Sequence, residues 1–235
     1  MTNNVDCLAF GAHPDDVELF CGGTLVKLKR LGYTTAVCDL TRGELSTNGD
    51  LPTRRRETDK ASELLGLDKR VNLEIADGNI SMTPENRDLV IRLIRELRPQ
   101  VVLAPYWEDR HPDHIAAAQL VKNALFYSGL SKIQTGLPAY RPALVLFYML
   151  HFLFQPTVIV DISEDYETKM QSIQAYHSQF IRTKKSDKKT YINNNFLESI
   201  AARAQLYGFQ AGCVYGEPFF HNGPIKIDNI IEFFS

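Results

Sequence analysis

The sequence lacks a surplus of charge of either sign, because its 235 residues carry 26 Lys and Arg against 28 Asp and Glu. That balance argues against a surface built to bind nucleic acid or an anionic membrane. The first six residues contain neither the basic region nor the apolar core of a signal peptide. We therefore expect a small-molecule partner, with no nucleic acid and no membrane.

Cysteines and long apolar runs are also scarce. The four cysteines are scattered, form no CxxC pair and provide no disulfide framework: Cys7, Cys21, Cys38 and Cys213. We interpret them as small buried hydrophobes in a reducing compartment, which predicts a cytoplasmic protein. The longest apolar run, residues 143–154, has twelve residues. A membrane span needs about 20, so this run is a core strand or an interaction surface.

A further absence is a GxGxxG turn after the first apolar segment, which excludes the dinucleotide-binding fingerprint. Apolar runs predict strands at residues 5–10, 34–41, 71–75 and 100–105. Helical spacing predicts helices at 19–31, 53–65 with Thr53 as its cap, 84–98 and 113–127. Such alternation is typical of an α/β fold with a Rossmann-like, mostly parallel sheet flanked by helices.

The second half of the chain is less regular. It contains predicted strands at 142–154 and 157–162, helices at 165–180 and 196–208, a polar loop at 184–189 and an edge strand at 225–227. We see no repeat and no linker. We therefore expect a single domain over residues 1–235, with a Rossmann-like half over about 1–130 and a smaller α+β portion over about 131–235.

An imidazole and three carboxylates follow the first predicted strand directly: His13, Asp15, Asp16 and Glu18. Neither aspartate has a Lys or Arg within ten residues, so a divalent metal is the economical counter-charge. Helix capping is the alternative, since Asp is a common N-cap and acidic residues suit the first turn. Capping alone leaves His13 and one of the two aspartates unexplained.

A second group, His111, Asp113 and His114, follows the fourth predicted strand. In a 3-2-1-4 strand order the first and fourth strands are neighbours, so the two groups meet in one crevice. Two imidazoles, one carboxylate and an open position are how catalytic zinc is held. Spacing permits His13, Asp16 and either His111 or His114 as ligands. Three isolated histidines are interpreted as surface or core residues: His151, His177 and His221.

Together, residues 12–18 (AHPDDVE) and 111–114 (HPDH) resemble the LmbE-like (PIG-L) family of zinc-dependent N-deacetylases. The resemblance implies that three residues bind the metal, Zn²⁺ or another divalent ion such as Fe²⁺: His13, Asp16 and His114. It implies that Asp15 is the general base. It also implies that His111, oriented by Asp113, stabilises the oxyanion in protonated form or acts as acid to the leaving amine. Arg54 matches the arginine that reaches the reaction centre in this family.

Within the family, residues 39–45 and the compact length look most like the bacillithiol branch, which deacetylates N-acetylglucosaminyl malate and is typically hexameric. The malate carboxylates would suit four arginines: Arg54, Arg55, Arg56 and Arg110. For Arg55 and Arg56 the alternative is a solvated helix face. Several members carry a tyrosine where Phe196 stands, and Tyr191 does not align cleanly with it.

Other functions stay open at this point. One is a broader N-acetyl sugar deacetylase or an amidase of mercapto-conjugates. A metal- or nucleotide-binding regulatory domain is disfavoured, because a structural zinc site is closed and needs neither Asp15 nor His111. The strand at 143–154 is apolar on both faces, which predicts a subunit contact in a homo-oligomer, in line with a hexamer. The alternative is a strand buried inside the chain itself.

Overall fold

The computed structural model describes residues 4–180, 195–229 and 231. Within them seven strands form one sheet: β1 Cys7–Gly11, β2 Thr35–Asp39, β3 Lys69–Asn72, β4 Val101–Pro105, β5 Leu144–Tyr148, β6 Val158–Asp161 and β7 Gly216–Phe220. Seven helices accompany the strands in the same part of the chain: α1 Asp16–Arg30, α2 Leu51–Leu65, α3 Pro84–Leu97, α4 Pro112–Ser128, α5 Tyr166–Gln174, α6 His177–Phe180 and α7 Phe196–Ala211.

The strand order is β3-β2-β1-β4-β5-β7-β6, and within the described sheet β7 alone runs opposite to the other six strands. The predicted α/β class, with a Rossmann-like and mostly parallel sheet, is confirmed. So is the 3-2-1-4 order of its first half. The C-terminal strands do not form a separate layer, because they extend the same sheet beyond β4.

The sheet is buried on both faces, as expected for parallel strands flanked by helices. Alternate residues of β1 enter two different cores. Leu8 and Phe10 pack on the side of α3 and α4, whereas Cys7 and Ala9 pack on the side of α1, α5 and α7. Because both faces are covered, ligands can approach this sheet at its strand ends rather than across its faces.

Several strand predictions need correction. The third strand begins at Lys69 rather than at residue 71 and ends before Glu74, which has φ 53°. The apolar pattern missed its start because Arg70 is a charged residue paired with buried Asp39 and Glu18. The predicted edge strand at 225–227 is absent from the described structure. β7 was not predicted because it contains Pro218, which lies beyond the end of β5 and pairs only with β6.

Two helix predictions also need correction. Asp50, not Thr53, caps α2, and its carboxylate accepts a hydrogen bond from the Thr53 N–H. The helix predicted at 165–180 is divided into α5 and α6, because the side chain of Tyr176 turns into the core and donates to Glu18 Oε1. The polar loop predicted at 184–189 lies outside the described residues.

The apolar run at 143–154 forms only the five-residue strand β5, which lies between β4 and β7. Leu146, Phe147 and Tyr148 are covered by the two cores of the chain itself. The buried residues of β5 therefore do not require a partner subunit to cover them. Phe152 and Leu153, which follow the strand, are exposed. None of the described helices is long and apolar enough to cross a membrane.

Candidate active site

The two predicted groups meet at the carboxyl ends of β1 and β4, which pair directly in the sheet. A cavity of about 790 Å³ opens there. Its charged and imidazole lining comes from the segments that follow β1 and β4, from helix α2 and from the loops that follow β3 and β5: His13, Asp15, Asp16, Arg54, Asp77, Arg110, His111, Asp113, His114 and His151. The strand order therefore joins residues that lie about 100 positions apart in the sequence.

Three side chains at the bottom of this cavity form a candidate metal centre. His13 Nδ1 lies 3.6 Å from one oxygen of Asp16, and His114 Nε2 lies 3.2 Å from the other. Potential ligand atoms of the three residues all lie within 4.8 Å of one another. Two imidazoles and one carboxylate are a donor set that suits a catalytic divalent metal.

Each of the two imidazoles is oriented by carboxylates through its other ring nitrogen. His13 Nε2 lies 3.0 Å from Asp77 Oδ1 and 3.3 Å from Asp113 Oδ2, and His114 Nδ1 lies 2.9 Å from Asp109 Oδ1. Because ionised carboxylates only accept hydrogen bonds, these nitrogens carry the protons. His13 Nδ1 and His114 Nε2 therefore keep the lone pairs that a metal needs.

The charges in this centre are strongly coupled. Burial alone would raise the pKa of Asp16, but the charge and hydrogen bond of His114, together with those of His13, hold it well below its usual range. Burial lowers the pKa of His114, yet the Asp16 charge and the bond to Asp109 outweigh it and raise that pKa to about 9. Asp16 thus stays ionised, and a divalent cation can replace the imidazole protons as its counter-charge.

His111 lies beside the centre but is held differently. Its Nδ1 accepts a hydrogen bond from the backbone N–H of Asp113, so a neutral ring carries its proton on Nε2. Burial, and the positive charges of His114 and His13, lower the pKa of His111. The Asp113 carboxylate contacts His13 and the Gly78 N–H instead. Asp113 therefore orients His111 through its backbone and not through its side chain.

Asp15 stands at the N-terminus of α1 without capping it. Its backbone has φ 131°, and its side chain makes no hydrogen bond to the helix. Such strained geometry in a non-glycine residue is a feature of functional sites. Burial raises the pKa of Asp15 to about 7, although the charge of Arg54 lowers it. A carboxylate that titrates near neutrality suits a general base.

Arg54 is the buried arginine next to this carboxylate. Its Nη1 lies 3.2 Å from Asp15 Oδ2 and also donates to the carbonyl of Pro14, while its Nη2 donates to Ser46 Oγ at 3.0 Å. The residue is 6% exposed. α2 thus brings one guanidinium to the reaction side of the cavity and fixes it through three partners.

The structure does not bring Arg55 and Arg56 to the cavity, which corrects the expectation that they bind substrate. They follow Arg54 on the solvent side of α2, where Arg55 bonds to Asp59 and Arg56 to Thr53. Their alternative interpretation as a solvated helix face is correct. Arg110 does line the cavity.

The sequence analysis missed three residues of the site: Asp77, Asp109 and His151. Asp109 lies within the E-D-R-H-P-D-H stretch, and Asp77 follows the third strand just before Gly78. Their positions after predicted strands could therefore have marked both as candidate site residues. His151 had no such signal, since only the placement of β5 beside β4 brings it to the cavity. At the position of the expected tyrosine, Phe196 lines the cavity and stacks on Phe180 at 5.5 Å, whereas Tyr191 lies outside the described residues.

The chain is similar to several known proteins. The PIG-L family model, described as GlcNAc-PI de-N-acetylase, matches residues 8–125. The chain belongs to the PIG-L family. A diacetylchitobiose deacetylase of Thermococcus kodakarensis is 34% identical over 188 residues, which cover 74% of this chain and 69% of the relative. The family and the His/Asp centre together make this protein a metal-dependent amidohydrolase that cleaves amide bonds as an N-deacetylase.

Two other matches bear on the fold and on the branch of the family. A crystal structure of a conserved Thermus thermophilus protein has a TM-score of 0.88 and 36% identity, covering 96% of this chain and 98% of that one. A probable N-acetyl-alpha-D-glucosaminyl L-malate deacetylase of Bacillus cereus is 26% identical over 180 residues, covering 71% of this chain and 80% of the relative. The likeness to the malate deacetylase is thus weaker than the likeness to the chitobiose deacetylase.

Proposed function

We propose that this protein removes acetate from the 2-amino group of an N-acetylglucosamine conjugate. The observation that carries the proposal is the Asp15 carboxylate, with its pKa near 7, beside the oriented His13–Asp16–His114 centre. A base candidate next to an open metal site is what amide hydrolysis needs and what a structural metal site does not need. This argument also stands against a purely regulatory, metal- or nucleotide-binding domain.

The roles of the side chains follow from their positions. His13, Asp16 and His114 would hold one divalent ion, for which we propose zinc, with Fe²⁺ as the alternative. When bound, the metal supplies Lewis-acid chemistry that polarises the amide carbonyl and makes water more acidic. Asp15 takes the proton from the attacking water and delivers it to the departing amine. His111 donates a hydrogen bond from Nε2 to the carbonyl oxygen as negative charge develops on it.

Arg54 and the outer carboxylates act through these groups. Arg54 fixes the orientation of Asp15 and favours its ionised form. Asp77, with Asp113, orients His13, and Asp109 orients His114. Partners of this kind set the tautomer and direction of metal-binding imidazoles, so we assign all three carboxylates to positioning.

The uncharged part of the cavity lining supports a neutral conjugate as the first candidate. These residues are apolar or polar without charge: Leu19, Phe20, Leu45, Ser46, Thr47, Asn48, Gln179, Phe180 and Phe196. A malate conjugate would bring two further carboxylates to a cavity that already holds several. Arg55 and Arg56 do not line the cavity, and Arg54 is bonded to Pro14, Asp15 and Ser46, so Arg110 is the arginine proposed for the malate carboxylates. The bacillithiol substrate is therefore the second candidate, supported by Arg110 and by the resemblance over residues 39–45.

The deciding experiment is amine release from a panel of N-acetylated compounds by the zinc-loaded enzyme. The panel contains N-acetylglucosamine, N,N'-diacetylchitobiose and N-acetylglucosaminyl malate, with an N-acetylated amino acid and a mercapto-conjugate amide as controls. We expect the highest kcat/KM with a neutral sugar. A preference for the malate conjugate would select the second candidate, and turnover of only the non-sugar amides would contradict the proposal.

We also propose that residues 1–235 act as one domain in the cytoplasm and assemble as a homo-oligomer, with a hexamer as the expected state. Continuity of the sheet from β4 through β5, β7 and β6 supports the single domain. Exposed Phe152 and Leu153, and exposed Leu206 and Phe209 on α7, support a subunit contact.

A further inference from the structure

His151 is a cavity-lining residue that the proposed chemistry does not use. It follows β5 after the buried Met149 and Leu150, and its side chain is 20% exposed. Its backbone N–H donates to Asp109 Oδ2 at 2.8 Å, and its ring Nδ1 lies 3.0 Å from Asp109 Oδ1. The ring is therefore attached at two points to one carboxylate.

Asp109 determines which ring nitrogen of His151 carries the proton. This carboxylate is surrounded by four N–H groups: the backbones of His111 and His151 and the Nδ1 atoms of His114 and His151. An ionised carboxylate accepts and cannot donate, so neutral His151 is protonated on Nδ1. Its Nε2 then has a lone pair and acts as a hydrogen-bond acceptor.

Two ring contacts fix the plane of this imidazole. It lies parallel to the His114 ring, with centroids 5.4 Å apart and an interplanar angle of 2°. The ring of Phe20 meets it edge-on at 5.6 Å and 75°. Because Nδ1 faces buried Asp109, the edge that lines the cavity carries Nε2, which has no hydrogen bond to any residue that the structure describes. Within the described part of the chain, this Nε2 is thus a fixed acceptor without a partner on the cavity side.

A second metal ion held by Asp109, His114 and His151 does not explain this arrangement. Both Nδ1 atoms already donate to Asp109 Oδ1, and a cation there would have to displace those two protons. His114 also needs its Nδ1–H bond to keep Nε2 directed at Asp16. Since no described residue donates to His151 Nε2, a hydrogen-bond donor that enters the cavity is the partner that suits it.

The neighbouring wall indicates what kind of donor this is. Three phenylalanines, Phe20, Phe180 and Phe196, line the cavity and belong to the core on the α1, α5 and α7 side of the sheet. The rings of Phe180 and Phe196 stack on each other. Aromatic rings offer a flat apolar surface, while a pyranose presents an apolar C–H face and hydroxyl groups around its edge. A sugar ring packed on this wall would direct its edge hydroxyls toward the neighbouring polar side chains.

We propose that His151 is a substrate-contacting specificity residue whose Nε2, fixed by Asp109, accepts a hydrogen bond from one ring hydroxyl of the amino sugar. This inference rests on the proposed function and identifies a hydroxyl donor as part of the recognised substrate. A ring hydroxyl does not change charge during amide hydrolysis, so we expect this contact to bind substrate and transition state alike. Its loss then raises KM and leaves kcat unchanged.

The test compares His151→Asn with the wild type on methyl N-acetylglucosaminide and its 3-, 4- and 6-deoxy analogues. Asn retains a donor near the Nδ1 position and so keeps the bond to Asp109, but it has no atom at the position of Nε2. We expect a KM increase of about 3- to 10-fold, the effect of one lost neutral hydrogen bond. One deoxy analogue, compared with the parent sugar, should raise the KM of the wild type by the same factor. With His151→Asn, that analogue and the parent sugar should have the same KM.

His151→Gln is the conservative variant, since its amide oxygen can accept a hydrogen bond near the Nε2 position. The KM of His151→Gln should lie between those of the wild type and His151→Asn. The inference would be overturned if wild type and His151→Asn discriminated equally among the deoxy analogues. It would also be overturned if His151→Asn lost its bound zinc, because His151 would then only position Asp109 and His114. Absence of wild-type turnover on every sugar is a different result, visible before any variant is made, and it would overturn the proposed function and this inference together.

Discussion

The carboxylate of Asp15 lies 3.2 Å from Nη1 of Arg54, a residue that enters the site from a different helix. Burial raises the pKa of Asp15 to about 7, and the Arg54 charge is the main influence that lowers it. The charge of Arg54 thus limits how far burial raises the pKa of Asp15. A protonated carboxyl group cannot accept a proton from water. The Asp15–Arg54 pair therefore determines the pH below which Asp15 no longer acts as the base.

Replacing Asp15 by Asn should remove the base and leave the metal centre intact. The amide cannot accept a proton from water, and general-base removal costs about 10²–10⁴-fold in rate. Turnover and zinc content measured on the same preparation check this. Asp59→Asn, at an exposed position on α2, is the matched control and should keep full activity. Near-normal turnover of the Asp15 variant would assign the base to another residue.

Replacing Arg54 by Gln should move the acidic limb of the pH–rate profile to higher pH. Without the guanidinium the ionised form of Asp15 is less favoured, so its pKa rises. Activity should then fall most at low pH and recover as the pH is raised. Arg55→Gln is the control on the same helix, because that side chain is 78% exposed and bonds to Asp59. Profiles of kcat/KM that coincide for wild type and Arg54→Gln would contradict this role.

Metal analysis should separate His114 from His111. Because His114 Nε2 faces Asp16 and His111 Nδ1 accepts a backbone hydrogen bond, His114→Ala should lose the bound ion and His111→Ala should retain it. Asp109→Asn should weaken metal affinity by about 10–100-fold, as expected when a partner of a ligating histidine is lost. His221→Ala, at a histidine that does not line the cavity, is the control. Stoichiometric metal in purified His114→Ala would transfer the ligand role to His111.

Two phenylalanines near β5 should behave differently in a test of assembly. Phe147 is 4% exposed and Phe152 is 53% exposed. Phe147→Asp buries a charge and should unfold the chain, whereas Phe152→Asp should leave the fold intact and weaken a subunit contact. Light scattering at micromolar concentration measures the mass, and thermal melting reports the fold. A wild-type mass of 26.7 kDa would show a monomer and contradict the proposed assembly.

Much of the fold was predictable because its signals are local. The first four strands and the helices between them follow apolar periodicity, and an alternating βα order leaves few topologies for a parallel sheet. Predictions failed where tertiary contacts outweigh local pattern. Arg70 belongs to a strand because Asp39 and Glu18 pair with it, and Pro218 is tolerated in β7 because β5 ends before it.

That His13, Asp15 and Asp16 follow one strand, and that His111 and His114 follow another, can be read from the order of residues along the chain. That much requires only contiguous residues and the rule that ligands bind at strand ends. Which carboxylate contacts which imidazole depends instead on the folded arrangement, which places Asp77 beside His13 and Asp109 between His114 and His151. The same arrangement brings Arg54 into the cavity while Arg55 and Arg56 face solvent. These outcomes depend on strand order and on the direction of each side chain, and neither is encoded in the spacing of residues along the chain.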